Sequence, residues 1–288
     1  MNTQVSTLGL PVISDETFNE FRTLIFEKTG IHMRDGKQIL ISNRLRKRLA
    51  ALHLGSYEEY YRLLVSGAAG QEELHNFIDA ISTNETYFFR EINHFNVLRK
   101  TVLPEIIKRK HRARIWSAGC STGEEVYTLR IVVNETLAEC GQPGADVSIV
   151  GTDISTQAIS KARNGVYNER ALRLVPHGAE DRYLGPETAG TRQVLPEVRG
   201  SVEFRVHNLF KDPVPGGPFD IIFCRNVMIY FNKATQTKLV DEVFATALDP
   251  DGYLFIGHSE SLSGFSRRFR YVSAFKAPIY RMKKEAES

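Results

Sequence analysis

Arg114-Ile-Trp-Ser-Ala-Gly-Cys-Ser-Thr-Gly-Glu-Glu-Val-Tyr127 opens with Ile115-Trp116, a short apolar run flanked by small residues, as a buried strand would be. Gly119, Ser121, Thr122 and Gly123 follow as a loop of small residues, over which another molecule can approach the backbone closely. Glu124 and Glu125 then lead into a helix expected from Glu125 to about Leu137. Strand, glycine turn and helix in this order make the first unit of a nucleotide-binding α/β fold. The dinucleotide fingerprint is absent: Gly119 and Gly123 stand four apart, and no G-x-G-x-x-G occurs. Two carboxylates at the helix start would also repel a phosphate where anions otherwise bind well. A ligand with adenosine, ribose and a cationic amino group but no phosphate suits the loop better, and S-adenosylmethionine has that chemistry. Glutamate in a first turn is equally ordinary dipole complementation, so the loop alone leaves open a tight turn with solvated carboxylates.

The whole chain sets bounds on that reading. Its 288 residues permit one large domain or two, and 42% hydrophobic with 25% charged residues describes a soluble globular protein. No apolar run approaches the roughly 20 residues that span a bilayer. The opening residues Met1–Thr7 lack the basic start and apolar core of a signal peptide. Cys120, Cys140 and Cys224 are widely spaced with no C-x-x-C, which argues against zinc and disulfides, and no metal is expected. A reducing cytoplasm is the expected compartment. A net charge of +3 is too mild to imply nucleic acid.

Residues 14–82 read as a helical domain. Ser14-Asp15 caps a first helix carrying Phe18, Phe21, Leu24 and Ile25, ended by Gly30. A second runs from Lys37 to Leu52 on the stripe Ile41, Leu45, Leu49 and Leu52. Beside that stripe lie Arg44, Lys47 and Arg48, with no acidic residue in the helix to pair with them. The face is either a dock for an acidic partner or simply solvated. Two shorter helices are expected over Ser56–Val65 and Gln71–Ile81. Residues 83–112 form a linker and a first helix of the following domain. The junction Ser82-Thr-Asn-Glu-Thr-Tyr-Phe-Phe-Arg-Glu91 mixes hydrogen-bonding groups with three aromatics, an unusual composition for a linker.

From residue 113 to about 284, strands and helices alternate as in a parallel sheet with crossovers. Strands are expected at Arg114–Ser117, Val147–Thr152, Val202–Val206, Asp220–Cys224 and Tyr253–Gly257, and the tail 269–282 suits an antiparallel hairpin. Asp153 ends the second strand, where a carboxylate can hold ribose hydroxyls; Asp153 or Ser155 can equally cap the next helix. Glycines and prolines break the pattern at about 166–200, which reads as a small inserted β-rich subdomain. His207-Asn208-Leu209-Phe210 and Arg225-Asn226 end later strands at the same sheet edge, with Tyr230 just beyond, so several loops converge on one crevice.

W-S-A-G-C-S-T-G-E-E at 116–125, T-N-E-T-Y-F-F-R-E at 83–91, F-C-R-N-V-M-I-Y-F at 223–231 and G-H-S-E at 257–260 together resemble the CheR family, over about Thr17 to Tyr280. Those proteins are chemotaxis receptor methyltransferases that esterify glutamates with S-adenosylmethionine, releasing S-adenosylhomocysteine. The resemblance implies a Rossmann-like α/β methyltransferase domain, with an N-terminal all-α domain and an inserted β-subdomain. It also implies that Asn84, Thr86, Arg90, Arg225 and Asn226 contact the cofactor. Glu124 or Glu125 would meet the methionyl amino group, Asp153 the ribose, and Asn208 and Leu209 the adenine. Arg90 and Tyr230 match positions that place the glutamate. Arg44, Lys47 and Arg48 would then dock the cytoplasmic domain of a receptor, with the protein acting as a cytoplasmic monomer recruited to receptor arrays.

The chain departs from the family at Val126, Thr128 and Arg130, where many members continue G-E-E-P-Y-S. That segment is the one feature favouring a second class of function, a non-catalytic S-adenosylmethionine-binding regulatory module. A third class, a nucleic-acid methyltransferase, lacks both a Pro-Pro turn after Asn226 and a broad basic footprint.

Overall fold

The structure, a computed structural model, describes residues 13–283, so Met1–Thr7 and Lys284 lie outside the described residues. The chain divides into two compact units. One holds the described residues up to Thr83 together with Tyr230–Asn232; the other holds Asn84–Ile229 and the chain from Lys233 onward. No helix among the described residues is long and apolar enough to cross a membrane.

The first unit is built from α1 (Asp15–Thr29), α2 (Gln38–Ala51), α3 (Tyr57–Leu64) and α4 (Gly67–Ile81). Serine hydroxyls set two of the starts: Ser14 accepts from the Thr17 N–H and Ser56 from the Glu59 N–H. Gly30, at φ 74°, ends α1 in the left-handed conformation that glycine takes without strain. Phe21, Ile25, Ile41, Leu45, Tyr60 and Phe77 fill the space between the helices. α4 begins four residues before the expected Gln71. Its first turn, Gly67-Ala-Ala-Gly, carries no apolar period, and Gly70 lies so close to α3 that a Cβ would stand 2.5 Å from the Leu64 carbonyl oxygen.

The basic face of α2 differs from the expectation. α2 does lack acids of its own, but Arg48 forms a two-pronged ion pair with Glu73 of α4, Nε and Nη2 each 2.7 Å from a carboxylate oxygen. Arg44 donates to the Ile81 carbonyl and to the Thr83 hydroxyl, and Lys47 is left exposed. Helical periodicity cannot show a partner supplied by another helix.

The second unit opens with α5 (Asn93–Val97), which continues through wider turns at Leu98–Val102 into α6 (Leu103–Lys110). There follow β1 (Arg112–Ala118), α7 (Glu124–Glu139), β2 (Asp146–Asp153), α8 (Thr156–Asn164), β3 (Val166–Asn168), α9 (Glu169–Leu172), α10 (Glu180–Tyr183), β4 (Thr191–Gln193), α11 (Pro196–Arg199) and β5 (Glu203–Val206). The chain then forms β6 (Phe219–Cys224), α12 (Lys233–Lys238), α13 (Ala245–Ala247), β7 (Leu248–Ile256), β8 (Phe269–Tyr271) and β9 (Ile279–Met282). Seven strands lie in the order β5-β2-β1-β6-β7-β9-β8. The first five are parallel, while β9 runs antiparallel to both β7 and β8. Every residue of β6 is buried, as expected of a parallel strand covered on both faces. Trp116 is fully buried and donates its Nε1–H to the Thr152 hydroxyl at 2.9 Å, cross-linking β1 to β2.

The inserted segment carries its own small antiparallel sheet, interleaved with short helical turns. β3 and β4, three residues each, pair antiparallel there, Leu184 with Val194 and Thr188 with Thr191 add isolated antiparallel bridges, and α9, α10 and α11 supply the helical turns. Glycine and proline mark where regular structure breaks, not what lies between the breaks.

Burial alone would raise the Glu73 carboxyl, but hydrogen bonds from Arg48, Tyr60 and Asn76 outweigh it and hold the group below the ordinary carboxylate range. A carboxyl lowered in the folded state stabilises above its unfolded pKa of about 4.3 and loses that contribution as the pH falls through the folded value. Glu73→Gln is therefore expected to destabilise the helical unit by about 2–4 kcal/mol at neutral pH. The gap to wild type should close as the pH is lowered below about 4. Urea unfolding of the full chain across this range reads both effects; a gap independent of pH would mean that the charge of Glu73 is not what matters.

Candidate active site

The carboxyl ends of the parallel strands lie along one edge of the sheet, where open α/β folds bind ligands. At this edge the glycine loop folds back on β2. The N–H groups of Gly119 and Cys120 both donate to the Thr152 carbonyl at 2.8 Å, and the Ser121 N–H donates to Asp153 Oδ2 at 2.8 Å. Gly119 has φ 84°, and a Cβ there would strike the Val227 side chain. Gly123 has φ 95°, and a Cβ would stand 2.7 Å from that of Ala162 on α8. Gly123 thus serves close packing within the chain itself, rather than the approach of another molecule.

Both loop glutamates are withdrawn from solvent, which rules out solvated helix-start carboxylates. Glu124 is 2% exposed and accepts from the Thr122 hydroxyl at 2.6 Å. Glu125 accepts from the Ser117 hydroxyl at 2.7 Å and from Arg225 Nη1 at 3.0 Å. Burial pushes both carboxyls up, opposed at Glu125 chiefly by the Arg225 charge. The Ser155 hydroxyl caps α8, accepting from the Ala158 N–H. Asp153 receives the Ser121 and Ser155 N–H groups, one on each oxygen.

Arg225 joins the glycine loop to the junction at 84–91. Besides Glu125, its guanidinium lies 3.3 Å from Glu91 and donates to the Arg90 carbonyl. Burial alone would raise the Glu91 carboxyl. The Arg225 charge and hydrogen bonds from His258 and Asn226 outweigh burial and bring it down to about 2. Glu91, His94 and His258 have ligand-type atoms within 4.8 Å of one another. The Glu91 oxygen that faces His258 Nδ1 at 2.8 Å also faces Arg225, a fixed positive charge against which a cation would be forced.

The remaining residues at this edge have local partners. Asn84 makes a long 3.5 Å contact with the Ser155 hydroxyl, and Thr86 is half-buried. Arg90 donates Nη1 to the Glu85 carbonyl at 2.7 Å. Past β5, the Asn208 side chain accepts from the Phe210 N–H, with half-buried Leu209 between them. Tyr230 groups with the helical unit, its carbonyl accepting the His32 N–H at 2.8 Å. The strand ends and the junction thus bring Asn84, Arg90, Glu125, Asp153, Arg225 and Asn226 together in one unit, and Tyr230 is not part of that unit.

Glu260 was quoted in a motif but given no role by the sequence. Its carboxylate is 9% exposed and accepts the Gly257 N–H at 2.6 Å, the Asn226 N–H at 3.0 Å and the Ile229 N–H at 3.3 Å. It thereby holds Asn226 at φ 59° and shapes the turn after β6. Gly257 makes this possible, since a Cβ there would stand 2.9 Å from Glu260 Oε2. Glu91 and Ser117 were likewise missed. A carboxylate beside a conspicuous arginine, and a serine at a strand end, give no signal until the fold brings their partners near.

The edge fits S-adenosylmethionine. The Ser121 hydroxyl is buried with no protein partner among the described residues, leaving a free donor in the loop. The surrounding carboxylates suit a cationic ligand. Val126, Thr128 and Arg130 all point into the packed interior. Val126 packs on β2, Thr128 accepts the Phe89 N–H at 3.1 Å, and Arg130 donates to the Val147 and Ser201 carbonyls.

A mostly parallel sheet with a glycine loop after its first strand and carboxylates gathered at the strand ends is the architecture of an S-adenosylmethionine-dependent methyltransferase. Residues 84–277 match the CheR methyltransferase SAM binding domain, and residues 16–82 match the CheR methyltransferase all-alpha domain. The chain belongs to the CheR methyltransferase family. It is 41% identical to chemotaxis protein methyltransferase 2 of Pseudomonas aeruginosa, over 89% of this chain and 90% of that one. It is 39% identical to the chemotaxis protein methyltransferase of Salmonella typhimurium, over 89% and 88%. Chemotaxis protein methyltransferase 2 of Vibrio cholerae is 35% identical over 93% and 94%.

Glu260→Gln places an amide N–H₂ among backbone donors and should loosen the turn after β6. Displacements of about 1 Å at a reacting site lower turnover by up to about 100-fold, so kcat is expected to fall by about 10- to 100-fold with the fold retained. Steady-state kinetics alongside a melting curve test this; unchanged kcat would show that the turn does not need its carboxylate.

Proposed function

We propose that this enzyme methylates glutamate side-chain carboxylates on the cytoplasmic domains of chemotaxis receptors, forming methyl esters for sensory adaptation. The observation that carries the reading is the state of Arg90. Its guanidinium has a backbone carbonyl as its hydrogen-bond partner and, among the described residues, no carboxylate, so its charge remains open to an incoming anion.

S-adenosylmethionine, when bound, supplies an electrophilic methyl group on a sulfonium. A glutamate carboxylate is already anionic at pH 7, so no residue need act as a general base and no metal is required. Arg90 holds the carboxylate through paired N–H donors, and Tyr230, which follows the 226–229 turn in the chain, orients one of its oxygens. Glu124 or Glu125 meets the cofactor's amino group, Asp153 its ribose, and Asn208 with Leu209 its adenine. Asn84, Thr86, Arg225 and Asn226 complete the pocket. Lys47 and Arg44, with the ion-paired Arg48 beside them, make the docking face of the helical unit. The protein works as a cytoplasmic monomer at receptor arrays and binds no nucleic acid.

Labelled methyl groups should pass to receptor cytoplasmic fragments and be released as volatile methanol by mild alkali; alkali-stable label would move the chemistry to another acceptor atom. Arg90→Ala should lower kcat by about 100-fold or more while the affinity for S-adenosylmethionine changes little. Equal losses of both would remove Arg90 from the carboxylate site.

A further inference from the structure

A cationic strip on the inserted segment begins beside Arg90. The Phe88 N–H donates to the Ala171 carbonyl at 3.0 Å, pinning the 84–91 junction to α9. Above that link the Arg173 guanidinium lies 3.6 Å from the centre of the Tyr87 ring, and the Arg90 guanidinium 5.9 Å from the same ring. Arg173 also donates Nη1 to the Arg170 carbonyl at 2.6 Å. The Arg170 side chain is 82% exposed, with Glu85 as its nearest acid at 3.9 Å. Leu174, next in the chain, is 45% exposed. Arg90 and Arg173 thus flank the Tyr87 ring, and Arg170 reaches toward Glu85 of the same junction, where Glu85 and Glu169 are the exposed carboxylates.

We infer that Arg170, Arg173 and Tyr87 form a docking surface for the acidic receptor segment that carries the reacting glutamate. The inference rests on the reading of Arg90 given above. If Arg90 receives one carboxylate, neighbouring glutamates of the same segment pass over the strip that continues from it. Stacking on Tyr87 orders the Arg173 guanidinium in advance, which lowers the entropy lost on binding. Tyrosine and arginine are also the residue types that most often anchor protein interfaces. An exposed arginine with only a weak pair contributes little to the fold itself, so its charge is available to a partner.

Arg170→Glu and Arg173→Glu, singly and together, test this with the full-length enzyme and a receptor cytoplasmic fragment. The double variant should raise the KM for the fragment by about tenfold or more, with kcat at saturation and S-adenosylmethionine affinity close to wild type. The wild-type KM should rise with salt, and the double variant should lose most of that dependence. Arg173→Lys should keep most of the effect of charge, and Arg267→Glu, an exposed change of equal sign elsewhere, should leave KM unaltered. If the double variant folds poorly, Arg170→Glu alone decides, because that side chain has no packed role. Unchanged KM with an active wild type overturns the docking surface and leaves the glutamate reading intact. A wild type that methylates no receptor fragment overturns the glutamate reading, and the docking surface with it.

Discussion

The site depends on one buried cation. Arg225 leaves the end of β6 with a side chain 2% exposed and meets Glu125, Glu91 and the Arg90 carbonyl. It therefore ties the glycine loop to the junction that carries Arg90, two segments far apart in sequence. Desolvating such an ion is expensive, and removing one partner of a buried pair typically destabilises by about 3–5 kcal/mol. The arrangement is tolerable because two carboxylates and a carbonyl share the guanidinium. The same cation leaves its two carboxylates in different states. At Glu125 desolvation outweighs the cation and the carboxyl is raised, with the neighbouring Glu91 charge adding to the rise; at Glu91 the cation together with His258 and Asn226 outweighs desolvation.

Carboxylates also hold strained backbone at this edge. Ser121, Phe89, Glu91 and Asn226 all have φ between 52° and 59°, a region that non-glycine residues avoid. Such conformations persist only where the surroundings over-determine them. Asp153 takes the Ser121 N–H, and Glu260 takes the Asn226 N–H. Two acids at the ends of neighbouring segments thus do the same work, each fixing a strained residue through its amide. The Thr128 hydroxyl does the same for Phe89, so the departure at that position keeps a needed acceptor.

The parallel sheet was readable because each strand carries a short apolar run and strands alternate with helices; the expected strands begin and end within about five residues of those observed. α7 was readable for its length, and the tail hairpin for its proline. The partners were not readable. Arg48 meets Glu73 across 25 positions and Arg225 meets Glu91 across 134, and no local pattern announces either pair. In the inserted segment only the presence of β structure was readable, because its strands are three residues long, shorter than any alternation can reveal.

The two arginines of the active edge show how the fold distributes charge. Arg225 is neutralised on two sides, by Glu91 and Glu125. Arg90, anchored through its own carbonyl by Arg225, spends only one donor on a neighbouring carbonyl. A guanidinium held in place by its backbone, and not by a carboxylate, keeps both position and unbalanced charge. Such a guanidinium keeps N–H donors available for a second, charge-assisted partner. Burying the paired arginine is what allows the unpaired one to remain at the surface in a fixed place.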